Sequence, residues 1–232
     1  MKFPGLVLLA ALLAGCQERV VTFRVSIPDL AGLETPVPDL IVTFLPYDRD
    51  SILRTLEAGA PPRPHVGALD SLFRAFRTPF QRFLLLSDSA ARARQTADSV
   101  RAAGLDPAAP DAAAAALASR LAAARTTLDA ARTELWPTIT AYRQDVAAWE
   151  DSVYRDYRKV TRSQADRIFA TPVADTTDAL GWGSAAITSA RWWATARTVD
   201  PADPNREWYW NVRVEGDTVH LDPRTGRNRP RY

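Results

Sequence analysis

The 232-residue chain is predicted to be α+β: an antiparallel β-sandwich formed from N- and C-terminal segments, carrying a long inserted antiparallel α-helical, coiled-coil-like hairpin. Three observations predict it. Apolar residues alternate at period two near both ends of the chain. Between about Val66 and Val160 they recur at helical spacing instead. Isolated terminal hairpins are only marginally stable, so the two β-rich ends are expected to share one sheet domain, with the helices inserted between them.

Residues 1–15 open MKFPGLVLLAALLAG: a lysine, an apolar run from Leu6 to Leu13, then small residues before Cys16. This is the pattern of a secretory signal peptide, and the run is far short of the roughly 20 residues a membrane-spanning helix needs. Leu13-Ala14-Gly15-Cys16 resembles the lipobox of bacterial lipoproteins. That resemblance implies cleavage before Cys16, acylation of its thiol and new amino group, and residues 16–19 as lipid anchor and tether. Several acyl chains are needed for a stable anchor, since one chain binds only marginally. With Gln17 after the cysteine, the resemblance implies sorting to the periplasmic face of the outer membrane. Cys16 is the sole cysteine, so the mature chain is expected to lack disulfides and zinc–thiolate sites. About 217 residues then remain, enough for a core of ordinary size.

The β-domain is expected over 20–50 and 172–223. In VVTFRVSI (20–27), Val21, Phe23, Val25 and Ile27 share one face and Thr22, Arg24 and Ser26 the other. A second strand is read in LIVTFLP (40–46), and further strands in ARWWATARTV (190–199), REWYWNVRV (206–214) and DTVHLDP (217–223). The turn-forming VDPADPN and EGD separate these last three.

The insertion is expected over 51–171. Leu69, Leu72, Phe73, Phe76, Phe80 and Phe83 begin a first amphipathic helix, which Gly104 ends as a C′ glycine. Asp111 is expected to cap a second helix. There Leu121, Leu128, Leu135, Tyr142 and Trp149 lie seven apart, and Ile139, Val146, Val153 and Val160 form a parallel row. Such heptads predict a coiled-coil-like seam. Pro79 and Pro137 lie at matching heights, 25 residues before Gly104 and 26 after Asp111, and are expected to kink or break both helices. The seam is alanine-rich on the turn side and bulky on the other.

The β segments together resemble the carboxypeptidase regulatory-like, or transthyretin-like, sandwich. The resemblance rests on VTFRVSIPDLAGLETPVPDLIVTFLP, with Gly32, Pro36, Val37 and Asp39. It rests also on TTDALGWGSAAITSARWWATA, with Thr177, Asp178, Gly181 and Trp192 or Trp193. TSARWW lacks the glycine that the family carries before its aromatic strand. The resemblance implies a binding or scaffolding module rather than an enzyme.

The chemistry-bearing residues are sparse. His65 and His220 are the only histidines, and no phosphate-binding, dinucleotide or H-E-x-x-H motif occurs. GWGSA (181–185) lacks the G-x-S-x-G spacing of a nucleophile elbow. A formal net charge of +2 implies no general nucleic-acid field. No cofactor is expected beyond the acyl anchor. Asp200, Asp203, Asn205 and Glu207 form the one oxygen-rich stretch that suits calcium, although Asp-Pro and Pro-Asn are also turn formers. Trp192, Trp193, Trp208 and Trp210 are the candidates for stacking on carbohydrate or cell-wall polymer, with at least one of each group expected in the core. The tail 224–232 carries Arg224, Arg227, Arg229 and Arg231, which suit either a solvated terminus or contact with an anionic partner. The expected function is a non-enzymatic envelope lipoprotein whose helical hairpin reaches a protein partner.

Overall fold

The computed structural model describes residues 18–64, 67–188 and 190–231. Cys16 and His65 therefore lie outside the described residues. Two compact units form. The first takes the described residues up to Pro61, Asp151–Pro201 and Arg206–Arg231; the second takes Pro62–Glu150 and Ala202–Asn205.

The first unit holds two sheets. β1 (Arg19–Pro28) pairs antiparallel with β5 (Trp182–Ile187) and β2 (Glu34–Pro36), and parallel with β8 (Thr218–Leu221). The other sheet runs β4 (Val173–Thr176), β3 (Ile41–Leu45), β6 (Trp193–Asp200), β7 (Asp203–Arg213) and β9 (Arg227–Pro230). Val21, Phe23, Val25 and Ile27 are buried, the four residues that alternation assigns inward. They share one cluster with Val42, Phe44, Ala194, Ala196 and Trp210 of the other sheet. The Phe23 and Phe44 rings meet at 5.5 Å. Each such side chain contributes about 1.5–3 kcal/mol by leaving water. Ser26 departs from the alternation. It is buried, and its hydroxyl donates to Glu34 at 2.5 Å.

Tight turns position the strands. Asp39 adopts φ 55° ahead of β3. Gly181 adopts φ 77° and leads into β5, and a Cβ there would stand 2.5 Å from the Val25 carbonyl oxygen. Only glycine fits both demands. The Asp178 carboxylate accepts from the amides of Leu180 and Trp182, each at 2.8 Å. Buried Thr177 donates its hydroxyl to the Val37 carbonyl (2.7 Å) and accepts from the Leu40 amide (2.8 Å).

Two short helices also belong to this unit, inside the range 51–171 expected to be insertion: α1 (Arg49–Glu57), most of which lies there, and the later helix over 157–167. Asp48 caps α1, its side chain accepting from the amides of Asp50 and Ser51. The later helix stands apart because a turn at Tyr154–Asp156 breaks the chain, so Val160 does not continue the heptad row. Period alone could not reveal that break, since the apolar spacing carries straight across it.

The second unit is built on α2 (Gly67–Ala102) and α3 (Ala108–Val153); the later helix is thus α4 (Tyr157–Arg167). Residues 69–76 of α2 cluster with 135–146 of α3: Leu69, Phe73, Leu135, Ile139, Tyr142 and Val146 are buried together, with Leu72 and Phe76 against them. Farther toward the connection the buried positions are Leu86 and the small Ala90, Ala97 and Ala124. The Tyr142 hydroxyl donates to the Pro64 carbonyl at 3.0 Å.

The connection closes by a glycine cap. Leu105 N–H donates to Val100 O and Gly104 N–H to Arg101 O, with Gly104 at φ 70°, which is the Schellman arrangement. Asp111 does not cap α3. The helix begins earlier, with Asp106 accepting from the Ala108 amide at 2.9 Å, and Asp111 instead takes Arg101 at 2.9 Å. Hydrogen bonds to Asp98 first, then Asp111, raise the Arg101 guanidinium above its ordinary value. Pro79 and Pro137 break neither helix. Each removes one backbone hydrogen bond, yet the helical run continues on both sides of it.

Candidate functional site

The tryptophans expected as a stacking platform are mostly core. Trp192 is 2 % exposed and Trp210 fully buried, and the half-buried Trp208 packs on the same cluster, its ring 6.3 Å from that of Trp210. The Trp192 indole donates to the Thr188 carbonyl at 3.1 Å and that of Trp210 to Asp222 at 2.9 Å. These three are not available for a ligand. Trp193, on the opposite face, lines a depression of about 470 Å³ with Tyr47, Ile52 and Ile168. The tryptophan that does stand out of this unit is Trp182, 38 % exposed, with Arg24 over its ring at 5.6 Å and His220 edge-on at 6.4 Å.

Alternation along β7 sends Trp208 and Trp210 inward and puts Asp203, Asn205, Glu207 and Tyr209 on the other face, where all four are buried. Buried charges need partners, and arginines supply them. Arg77 donates Nε and a terminal nitrogen to Asp203 at 2.9 and 2.7 Å. Arg229 pairs with Glu207 at 2.8 Å and lies 3.9 Å from the Tyr209 ring centroid. The Tyr209 hydroxyl donates to Asp50 at 2.6 Å, and Arg227 also pairs with Asp50. Burial, then the Asp50 hydrogen bond, pushes the Tyr209 phenol well up from its ordinary value.

The calcium expectation is not met by a converging ligand set. Asp200 accepts from the Asn228 side chain at 2.5 Å, Asp203 takes Arg77 and Glu207 takes Arg229. The Asn205 side-chain nitrogen is buried with no hydrogen-bond partner among the described residues. No group of three or more His, Cys, Asp or Glu that could hold a metal occurs among them either. The arginine tail is likewise not a solvated terminus. Residues 227–230 form β9, paired with β7 through Glu207↔Arg229 and Tyr209↔Arg227, and only Arg224 and Arg231 of the four lie outside that strand. The turn in DPRTG (222–226) leads into β9, with the Asp222 carboxylate accepting from the amides of Arg224 and Thr225, a signal that sequence reading passed over. The strand character of β9 comes from the carboxylates and the tyrosine ring waiting on the neighbouring strand.

The basic surface that sequence reading missed is α4. Its inner face carries Tyr157, Val160, Thr161 and Gln164, half-buried or buried; its outer face exposes Arg158, Lys159, Arg162 and Asp166. Burial, and to a lesser degree neighbouring Tyr47, pushes the Tyr157 phenol up to about 12. Arg158, Lys159, Arg162 and Arg167 line an open depression of about 1070 Å³. Among the described residues Arg158, Lys159 and Arg162 lie in no ion pair; Arg167 donates only to the Ser163 carbonyl, at 3.2 Å. The helix ends in the same hydrogen-bond pattern as α2: Phe169 N–H to Asp166 O and Ala170 N–H to Ala165 O. Here the left-handed residue, at φ 51°, is phenylalanine, 96 % exposed.

No helix among the described residues is long and apolar enough to cross a membrane. No protein-family model matches the chain, and neither does any curated protein or solved structure.

Proposed function

We propose that this is a non-enzymatic envelope lipoprotein, held to the periplasmic face of the outer membrane by acylated Cys16, whose helical pair is an arm that docks on an envelope protein. Two sheets sharing one core support a β-sandwich of the carboxypeptidase regulatory-like kind. The turn roles of Asp39, Thr177, Asp178 and Gly181, four of the residues on which that resemblance rests, support it further.

The observation that carries the reading is the economy of the helical seam. Helices of 36 and 46 residues are about 54 and 69 Å long at 1.5 Å per residue. One stripe of each is buried, and toward the connection it mixes Leu86 and the half-buried Leu121 and Leu128 with the small Ala90, Ala97 and Ala124. Such length exceeds what a small core needs. It leaves long outer faces, on which Leu85 and Trp136 stand exposed, Trp136 between the guanidinium groups of Arg132 and Arg143. Helical faces of this kind serve as docking surfaces.

Crosslinking in intact cells, followed by purification and mass spectrometry of linked peptides, tests it. Reproducible links from 85–135 to one envelope protein are the expected result. Links confined to the chain itself overturn the arm. A second reading, binding of carbohydrate or cell-wall polymer, is favoured at one place only: the exposed Trp182 ring beside Arg24 and His220. Quenching of tryptophan fluorescence by glycan, lost in Trp182→Ala, is its mark.

A further inference from the structure

The end of α4 contradicts two habits of folded proteins at once. A left-handed residue that closes a helix is normally glycine, because a Cβ is crowded there. A fully exposed phenylalanine also keeps its whole ring in water. Phe169 does both, and the described contacts offer it no packing partner, at 96 % exposure. Backbone strain held at an exposed aromatic points to use rather than to folding.

Its surroundings say what the use is. Arg155, Arg158, Lys159, Arg162 and Arg167 are exposed on or just before α4, against Asp156 and Asp166. Ile168, 42 % exposed, precedes the phenylalanine. Cations on long stems, free of fixed carboxylates, beside one protruding aromatic match the layering of a membrane interface: phosphates outside, acyl chains beneath. The anchor sharpens the match. Only Gln17 and Glu18 separate Cys16 from Arg19, where β1 begins, so the three-step tether reaches only about 10 Å. A sandwich held so close to a bilayer meets it with one of its faces.

We infer that the outer face of α4, with Phe169 at its tip, is a lipid-contacting surface that seats the first unit on a bilayer containing anionic lipid. This deepens the lipoprotein reading and rests on it for the choice of a membrane. Phe169 enters the headgroup–acyl boundary, while Arg158, Lys159 and Arg162 meet lipid phosphates.

The test uses full-length protein extracted with its native modification, its intact mass reporting acylation of Cys16. Ser163→Cys, on the same exposed face, carries a polarity-sensitive fluorophore. The protein is reconstituted into phosphatidylcholine vesicles with or without phosphatidylglycerol, together with a lipid-borne quencher. Quenching that needs phosphatidylglycerol and weakens with salt is expected. Each charge reversal, Arg158→Glu or Arg162→Glu, should lower the docked-to-undocked ratio by about fivefold or more. Phe169→Gly should abolish quenching while melting no lower than the parent, which separates lost contact from lost fold. Three results overturn the inference: no quenching on either vesicle, quenching indifferent to lipid charge and to these substitutions, or shielding of the probe only in native envelope membranes, which assigns the face to a protein. An unacylated intact mass instead removes the anchor reading, and co-sedimentation of that protein with the same vesicles still decides the fate of the α4 face.

Discussion

Two segments of this chain are rich in arginine and end opposite fates. Residues 224–231 carry Arg224, Arg227, Arg229 and Arg231; residues 155–167 carry Arg155, Arg158, Lys159, Arg162 and Arg167. The first segment turns inward. Arg227 and Arg229 serve Asp50 and Glu207 and flank the Tyr209 ring. The second faces solvent, with Arg158, Lys159 and Arg162 outside every ion pair among the described residues. Charge count along a sequence therefore says little about surface potential. What decides is whether the neighbouring strand carries buried carboxylates that need neutralising. The helix ends repeat the lesson: one hydrogen-bond pattern is filled by Gly104 in one place and by Phe169 in the other, so one end is relaxed and the other strained.

The largest effect should come from breaking the inward segment. Arg229→Ala removes the partner of Glu207, whose side chain is only 9 % exposed, and uncovers Tyr209. A loss of roughly 2–3 kcal/mol is expected in denaturant unfolding, below the full buried-pair figure because water reaches the Arg229 side. Arg162→Ala, by contrast, should fall within about 0.5 kcal/mol of the parent. Equal losses from both would erase the distinction between the segments.

Next in size, Gly104→Phe should destabilise the second unit by about 1–2 kcal/mol, because it imposes on α2 the strain that α4 already carries. The reverse exchange, Phe169→Gly, should stabilise the first unit by about 0.5–1 kcal/mol, part of the relieved strain being offset by the freer unfolded chain. For a chain of this size that is ~1–4 °C in a thermal melt. A lower melting temperature for Phe169→Gly would mean that the ring packs on something, and the strain argument would fall.

The smallest effect concerns the inner face of α4. Tyr157 keeps its proton to about 12 in the folded chain against 10.0 ordinarily, chiefly through burial. Between those values the folded state holds a proton that the unfolded state has lost, so stability is complete below pH 10 and declines as pH rises toward 12. Tyr209, raised in the same direction, adds to the decline. Tyr157→Phe should flatten the high-pH limb of a stability–pH curve, whereas Arg158→Ala on the outer face should leave its shape unchanged.

Much of the architecture is legible from residue order because it follows from local period. The inward set of β1, the heptads of α3 and the glycine that ends α2 are each decided within a few residues of themselves. The limits of that reasoning appear at particular places. The break at Tyr154–Asp156 interrupts no apolar period, so nothing in the spacing reveals it, and α4 merges with the long helix. Trp192, Trp208 and Trp210 read as surface candidates because alternation gives two faces without saying which is inside. Asp203 and Glu207 read as calcium ligands because Arg77 and Arg229 are distant in sequence.

The sequence by itself determined the period of each element, the β-rich ends around a helical middle, and the signal-like residues ahead of Cys16. The tertiary structure alone decided which face of β7 is core, which arginines are neutralised and which stay free, and that the left-handed residue closing α4 is a bare phenylalanine. The physical reason is range. Backbone periodicity and capping act over a handful of neighbours, whereas burial and ion pairing are set by groups that meet only once the chain has folded.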